Sequence, residues 1–162
     1  GNVLFDHIDL EWNPHGHEPP GVYDIPHFDF HFYWISEEEK MMINSEALAD
    51  VLPANEFWPN TYVPTPGFVP MMGKHWLSLA SPEANDEIFS QTFIYGSYNG
   101  KFIFHEPMIT IDYFNEKTST QYVLHQPAAY QREGYRYPTM YSINYDEAEG
   151  MYTVILENMV QR

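Results

Sequence analysis

Between Pro26 and Ile35 the chain alternates with a period of two: Phe28, Phe30, Phe32 and Trp34 fall on one side, and His27, Asp29, His31 and Tyr33 on the other. Such alternation predicts a strand over residues 27–35, because successive side chains of a strand point to opposite faces. A helix would scatter the four aromatics around its surface. A similar pattern in "VLFDHIDLEW" predicts a first strand over residues 3–12. Between them "NPHGHEPPG" reads as a loop, stiffened by its prolines and loosened by its glycines. Ser36 followed by Glu39 forms a capping box, acids fill the next turn, and Pro53 is a stop. One short helical insert, continuous or split in two, is therefore expected near residues 37–51.

Residues 53–73 carry Pro53, Pro59, Pro64, Pro66 and Pro70 and read as a long connection. "GKHWLSL" predicts a short strand and "SPEAND" a turn. In "TFIYGSYNGKFIFHE", Asn99-Gly100 between two aromatic runs is the pattern of a two-residue hairpin. "MITIDYF" predicts a further strand over Met108–Phe114, after Pro107 bends the chain. "TMYSINYD" and "MYTVILE" predict a last hairpin. The sum is about seven strands and one helical insert: an all-β chain, sandwich or barrel, of a length that fits a single domain.

Composition agrees, since 17% of the residues are aromatic and aromatics favour pleated surfaces. A formal charge of −16 repels phosphate backbones and anionic membranes, so no nucleic-acid partner is expected, while cations are attracted. The chain has no cysteine, which excludes disulfides and thiolate ligands. No apolar run approaches the roughly 20 residues of a membrane-spanning helix. Gly1 reads as the scar of a removed tag, with an upstream segment expected to be missing.

Eight histidines occur, five of them within the first 31 residues. Together with neighbouring carboxylates they supply metal ligands. Residues two apart on a strand are about 6.6 Å apart and residues four apart about 13 Å, so His27 and His31 share an ion only if a bulge near Phe30 shortens the span or other strands contribute. His75, in "MMGKHW", and Glu106, in "FHEPM", are the further candidates. By strand parity Phe102, Phe104 and Glu106 lie on one side; if the phenylalanines are buried so is Glu106, which then needs a partner, and His105 faces out. The expected site is His27, His31, His75 and Glu106, with Asp29 as ligand or orienting carboxylate, and His15 and His17 at lower rank in the loop beside it. The ion is a divalent transition metal; zinc, iron, manganese, nickel and copper are not distinguished by spacing. No nucleophile elbow, phosphate-binding loop or dinucleotide fingerprint is present.

The segments "WNPHGHEPPGVYDIPHFDFHFY", "VPMMGKHW", "TFIYGSYNGKFIFHEPMIT" and "GYRYPTMYSINYD" together resemble a family of bacterial secreted or lipid-anchored proteins of unknown function, one relative of which is a thermophile protein controlled by an extracytoplasmic stress sigma factor. The resemblance implies an extracytoplasmic, mostly β protein that assembles into closed homo-oligomers, and it carries no reaction. The leading expectation is an extracytoplasmic protein with a His/Glu metal site, the balance being against an enzyme. The alternatives are a non-catalytic oligomeric stress-response or structural assembly protein, and a binding module for glycans or small ligands.

Overall fold

The computed structural model describes residues 2–162. Twelve strands form three sheets, so the chain is all-β with more strands than the seven that periodicity marks. The largest sheet has six strands in the order β2 (His7–Asn13), β3 (His27–Tyr33), β7 (Lys101–Thr110), β6 (Gln91–Tyr98), β5 (Lys74–Ser78) and β4 (Tyr62–Pro64). A second sheet orders β11 (Met151–Glu157), β10 (Met140–Asp146) and β8 (Thr120–Val123). The third joins β1 (Asn2–Val3), β9 (Tyr135–Tyr137) and β12 (Val160–Gln161). Short strands such as β1, β9 and β12 have too few residues to show a period.

Local chemistry explains most elements. The capping box forms as read: Ser36 Oγ accepts from the Glu39 amide and the Glu39 carboxylate accepts from the Ser36 amide. The helical insert is split into α1 (Glu37–Met41) and α2 (Glu46–Ala49), the latter capped by Ser45. Asn99 and Gly100 both take positive φ, 48° and 76°, and close the β6–β7 hairpin. The β10–β11 hairpin pairs Met140 with Glu157 through to Asp146 with Met151.

Two expectations are corrected. The strand expected over residues 3–12 is broken at Leu4–Asp6, and its halves join different sheets; the Leu4 side chain is buried at the break. The strand expected over Met108–Phe114 ends at Thr110, whose side chain caps a helix α3 (Ile111–Asn115). Pro107 does not bend the chain. It lies within β7, pairs with Phe93 of β6, and interrupts only the β3–β7 ladder, which runs from Asp29–Met108 to Phe32–His105 with the pairs between missing. A proline has no amide to donate there.

The sheet's two faces differ. Its aromatic face packs into the main core, where Trp34, Trp76, Phe93, Tyr95, Phe102 and Ile109 meet Tyr141 and Ile143 of β10. The Phe93 and Tyr141 rings stand 5.0 Å apart. The other face carries His27, Asp29 and His31, flanked by two smaller apolar clusters. One gathers Tyr23, Phe89, Ile94 and Met108; the other gathers Tyr33, Ile43, Ile103 and Phe104. Loops 14–26 and 65–73 and the α1–α2 segment supply the covering residues of these clusters. The polar side of β3 is consequently deeper than its aromatic side: His27, Asp29 and His31 are buried while Phe28 and Phe30 are only half-buried.

Candidate metal centre

The site is set by register. On β7 a bulge falls where Gly96 pairs with Phe104 and Ser97 with Phe102, making Ile103 the extra residue. The bulge shifts parity, so Phe102 joins the main core while Phe104 and Glu106 stay together on the polar face. His105 therefore does not face outward. It is buried among Phe5, Trp34, Phe93 and Tyr95, and desolvation drops its pKa to about 3. His105 does lie opposite Phe104 and Glu106, but the expectation that it is exposed failed because both faces of β7 are buried; the extra residue puts Phe102 on the same side as His105.

Three of the expected ligands converge. His31 Nε2 lies 3.3 Å from Glu106 Oε1 and His75 Nε2 lies 3.7 Å from Glu106 Oε2. One donor atom from each of the three residues falls within 4.8 Å of the others. Three different strands supply them: β3, β5 and β7. Donors about 2.0–2.2 Å from a tetrahedral ion stand roughly 3.3 Å apart, close to the two histidine–glutamate distances. His31 and Glu106 are almost fully buried, and His75 keeps 19% of its side chain exposed, so the group opens to solvent on the His75 side. Phe104 meets both imidazoles edge-to-face, at 4.9 Å from His31 and 5.5 Å from His75, and walls off the group.

His27 and Asp29 lie elsewhere. β3 is regular, with no bulge at Phe30, so the strand's own rise keeps His27 apart from His31. His27 Nε2 stands 3.1 Å from Asp29 Oδ1, and His17 Nε2 stands 3.2 Å from Asp29 Oδ2. These three form a separate group with the same mutual spacing. Asn13 Nδ2 donates to Asp29 Oδ2 at 2.8 Å and orients the carboxylate. His15 enters neither group. A third cluster, His7, Asp9 and Glu37, is partly exposed, and Lys40 already pairs with its Asp9.

Electrostatics separates the two buried groups. Burial lowers the pKa of His31 to about 4 and of His75 to about 3, and raises Glu106 well above the carboxylate range, with the nearby Asp29 and Glu11 charges adding to the rise. Burial thus disfavours charge on all three groups. In the other group burial opposes the Asp29 charge, but the imidazole nitrogens of His17 and His27 beside its two oxygens prevail and hold its pKa near 2. His17 is raised: burial lowers it, and the Asp29 and Glu18 hydrogen bonds outweigh that.

Both groups contain buried polar atoms with no hydrogen-bond partner in the protein: His31 Nδ1 and Nε2, Glu106 Oε2, His27 Nε2 and Asp29 Oδ1. Buried polar atoms in folded proteins are nearly all paired, and an unpaired one costs about 1–3 kcal/mol. A cation coordinated by these atoms would satisfy most of them at once. The sequence marked His27, His31, His75 and Glu106 as one set; it ranked His17 too low, because a loop residue has no parity to place it.

No family model matches the chain, and no curated protein and no solved structure matches it either.

Proposed function

We propose that the protein binds a divalent transition metal through His31, His75 and Glu106. The observation that carries this reading is the Glu106 carboxyl, 2% exposed, with two imidazole nitrogens aimed at its two oxygens and hydrogen-bonded to neither. Two histidines and one carboxylate suit zinc or iron(II) and leave coordination positions free. The mouth at His75 gives those positions to solvent or a small ligand. A bound water there would be acidified and available for hydrolysis or an oxygen-dependent step; binding of the metal is the claim, and the balance stays against an enzyme. Extracytoplasmic placement rests on the resemblance of the segments around Pro26–His31, Gly73–Trp76 and Glu106–Met108 to the secreted family.

The test is metal analysis of protein purified without a polyhistidine column, then dialysed against zinc, cobalt(II), iron(II), manganese, nickel or copper in turn. The wild type is expected to bind about one equivalent more than His75→Ala or Glu106→Gln. Less than about a tenth of an equivalent of every metal would remove the reading, since buried ligands of this kind bind far below micromolar concentrations.

A second reading concerns assembly. β2 is an edge strand, and its Ile8, Leu10 and Trp12 are 57%, 60% and 46% exposed in an alternating row. They continue the half-buried Phe28 and Phe30 of β3. An apolar row beside unpaired backbone is a template for another strand. A second copy of this chain is the proposed occupant, giving a homo-oligomer alongside the metal site. A glycan platform is less favoured, because of the four tryptophans Trp34 and Trp76 are buried and Trp58 packs on Trp76 at 4.7 Å, which leaves Trp12 on the edge strand. Light scattering on the eluted protein tests assembly, and a monomer at all concentrations would remove it.

A further inference from the structure

We infer that His17, His27 and Asp29 form a second metal site, independent of the first, whose ion fastens the loop over residues 14–26 onto the polar face of the sheet. The tautomers of both imidazoles are fixed by backbone carbonyls. A carbonyl only accepts hydrogen bonds, so His27 Nδ1 donates to Ile25 O at 2.6 Å and His17 Nδ1 donates to Glu18 O at 2.7 Å. A neutral imidazole has one N–H; with it spent at Nδ1, each Nε2 presents a lone pair. Those lone pairs point at the two oxygens of Asp29, 3.1 and 3.2 Å away. Lone pairs facing a carboxylate repel unless a proton or a metal cation lies between them, and His27 Nε2 and Asp29 Oδ1 are buried with no hydrogen-bond partner. Imidazole ligands whose far nitrogen is anchored on a backbone carbonyl are the usual arrangement around a bound metal.

The local sequence builds this site. Gly16 has φ +68°, and a β-carbon there would lie 2.1 Å from Tyr23 O, so only glycine lets the loop fold back on itself. The fold-back is locked by the His17 amide donating to Tyr23 O at 3.0 Å. It brings His17 over the His27 ring, 4.7 Å away. His27 is fully buried, with its Nε2 unpaired, whereas His17 keeps 33% of its side chain exposed. An ion here is held by two strand residues below and one loop residue above. Losing it releases the loop, whereas the His31 group loses nothing of its frame, because all its ligands stand on strands.

Zinc is the probe, in the full chain. Titration by calorimetry and amide hydrogen exchange of residues 14–25 are read for the wild type, His17→Ala and His75→Ala. About two zinc equivalents in the wild type and about one in either variant are expected. Zinc should slow exchange in the loop by about tenfold or more in the wild type and in His75→Ala, and leave it unchanged in His17→Ala. One equivalent lost in His17→Ala but kept in His75→Ala would support this site and remove the first. A stoichiometry that His17→Ala leaves at the wild-type value, with loop exchange indifferent to zinc, would overturn the inference and leave a protonated His17–Asp29 pair in its place, whatever becomes of the first site.

Discussion

The Phe104 ring lies over Gly96, its pairing partner across β6 and β7, where a β-carbon would come within 2.0 Å of Cε1. The absence of a side chain at residue 96 is what lets Phe104 pack edge-to-face against both the His31 and His75 rings. Phe104 backs the imidazoles of two different strands, so the proposed site depends on a residue that is not among its ligands.

Gly96→Ala is therefore expected to lower stability by about 1–3 kcal/mol, the usual cost of forcing a group into a packed core. It should also weaken zinc at the His31 site by about tenfold, since Phe104 must move against its ligands. Denaturant unfolding and a zinc competition titration check the two effects. Loss of stability with unchanged affinity would show that Phe104 packs without positioning.

Zinc binding at the His31 site should be pH-dependent through Glu106 alone. Both imidazoles have pKa values lowered to about 4 and about 3 by burial, while burial and the Asp29 and Glu11 charges raise that of Glu106. Binding displaces a proton held by Glu106, so affinity should rise with pH, by up to about tenfold per unit, through the range in which the raised carboxyl titrates. Calorimetry of His17→Ala in buffers of different ionisation enthalpy counts the protons. No release would place the glutamate charge there beforehand.

His105 predicts acid sensitivity away from both sites. Its folded pKa of about 3 lies below the usual 6.5, so the unfolded chain binds a proton that the folded one refuses. Its contribution to stability is thus full above about pH 6.5 and is lost as the pH falls towards 3, at about 1.4 kcal/mol per unit. His31 and His75 act in the same direction. Glu106, raised instead of lowered, acts oppositely above its ordinary value, favouring the fold at lower pH. Replacing His105 by Leu isolates one share: between pH 6.5 and 4 the variant should lose less stability than the wild type in urea melts. Parallel losses would mean that His105 is solvated.

Assembly through β2 is checked by Leu10→Lys. A lysine on an edge strand opposes strand addition, and residue 10 is exposed, so the fold should stand. The variant is expected to run as a monomer by light scattering with an unchanged circular dichroism spectrum. An unchanged oligomer would place the interface elsewhere.

Much was legible in the sequence because it is local. The alternation of His27–Tyr33, the Ser36–Glu39 capping box and the Asn99–Gly100 turn are settled by backbone stereochemistry over a few residues, and each forms as read. Strand rise alone separates His27 from His31 unless the strand is bulged, and β3 is not. The strands β1, β4, β8, β9 and β12 were not legible, since they are held by partners distant in the chain. The turn of residues 111–115 into a helix was hidden by an aromatic-aliphatic run that suits either state.

Which histidine meets which carboxylate was decided only in three dimensions. Chain order keeps His31, His75 and Glu106 far apart; pairing of β3 with β7, and of β7 through β6 to β5, brings them together. One extra residue at Ile103 puts Phe102 on the same side as His105, in the core, and leaves Phe104 beside Glu106. Strand period is written in neighbouring residues, whereas register is a sum of packing, turns and bulges over the whole sheet. The sequence by itself therefore determined that a polar, histidine-bearing strand exists, and the tertiary structure decided that it serves two groups instead of one.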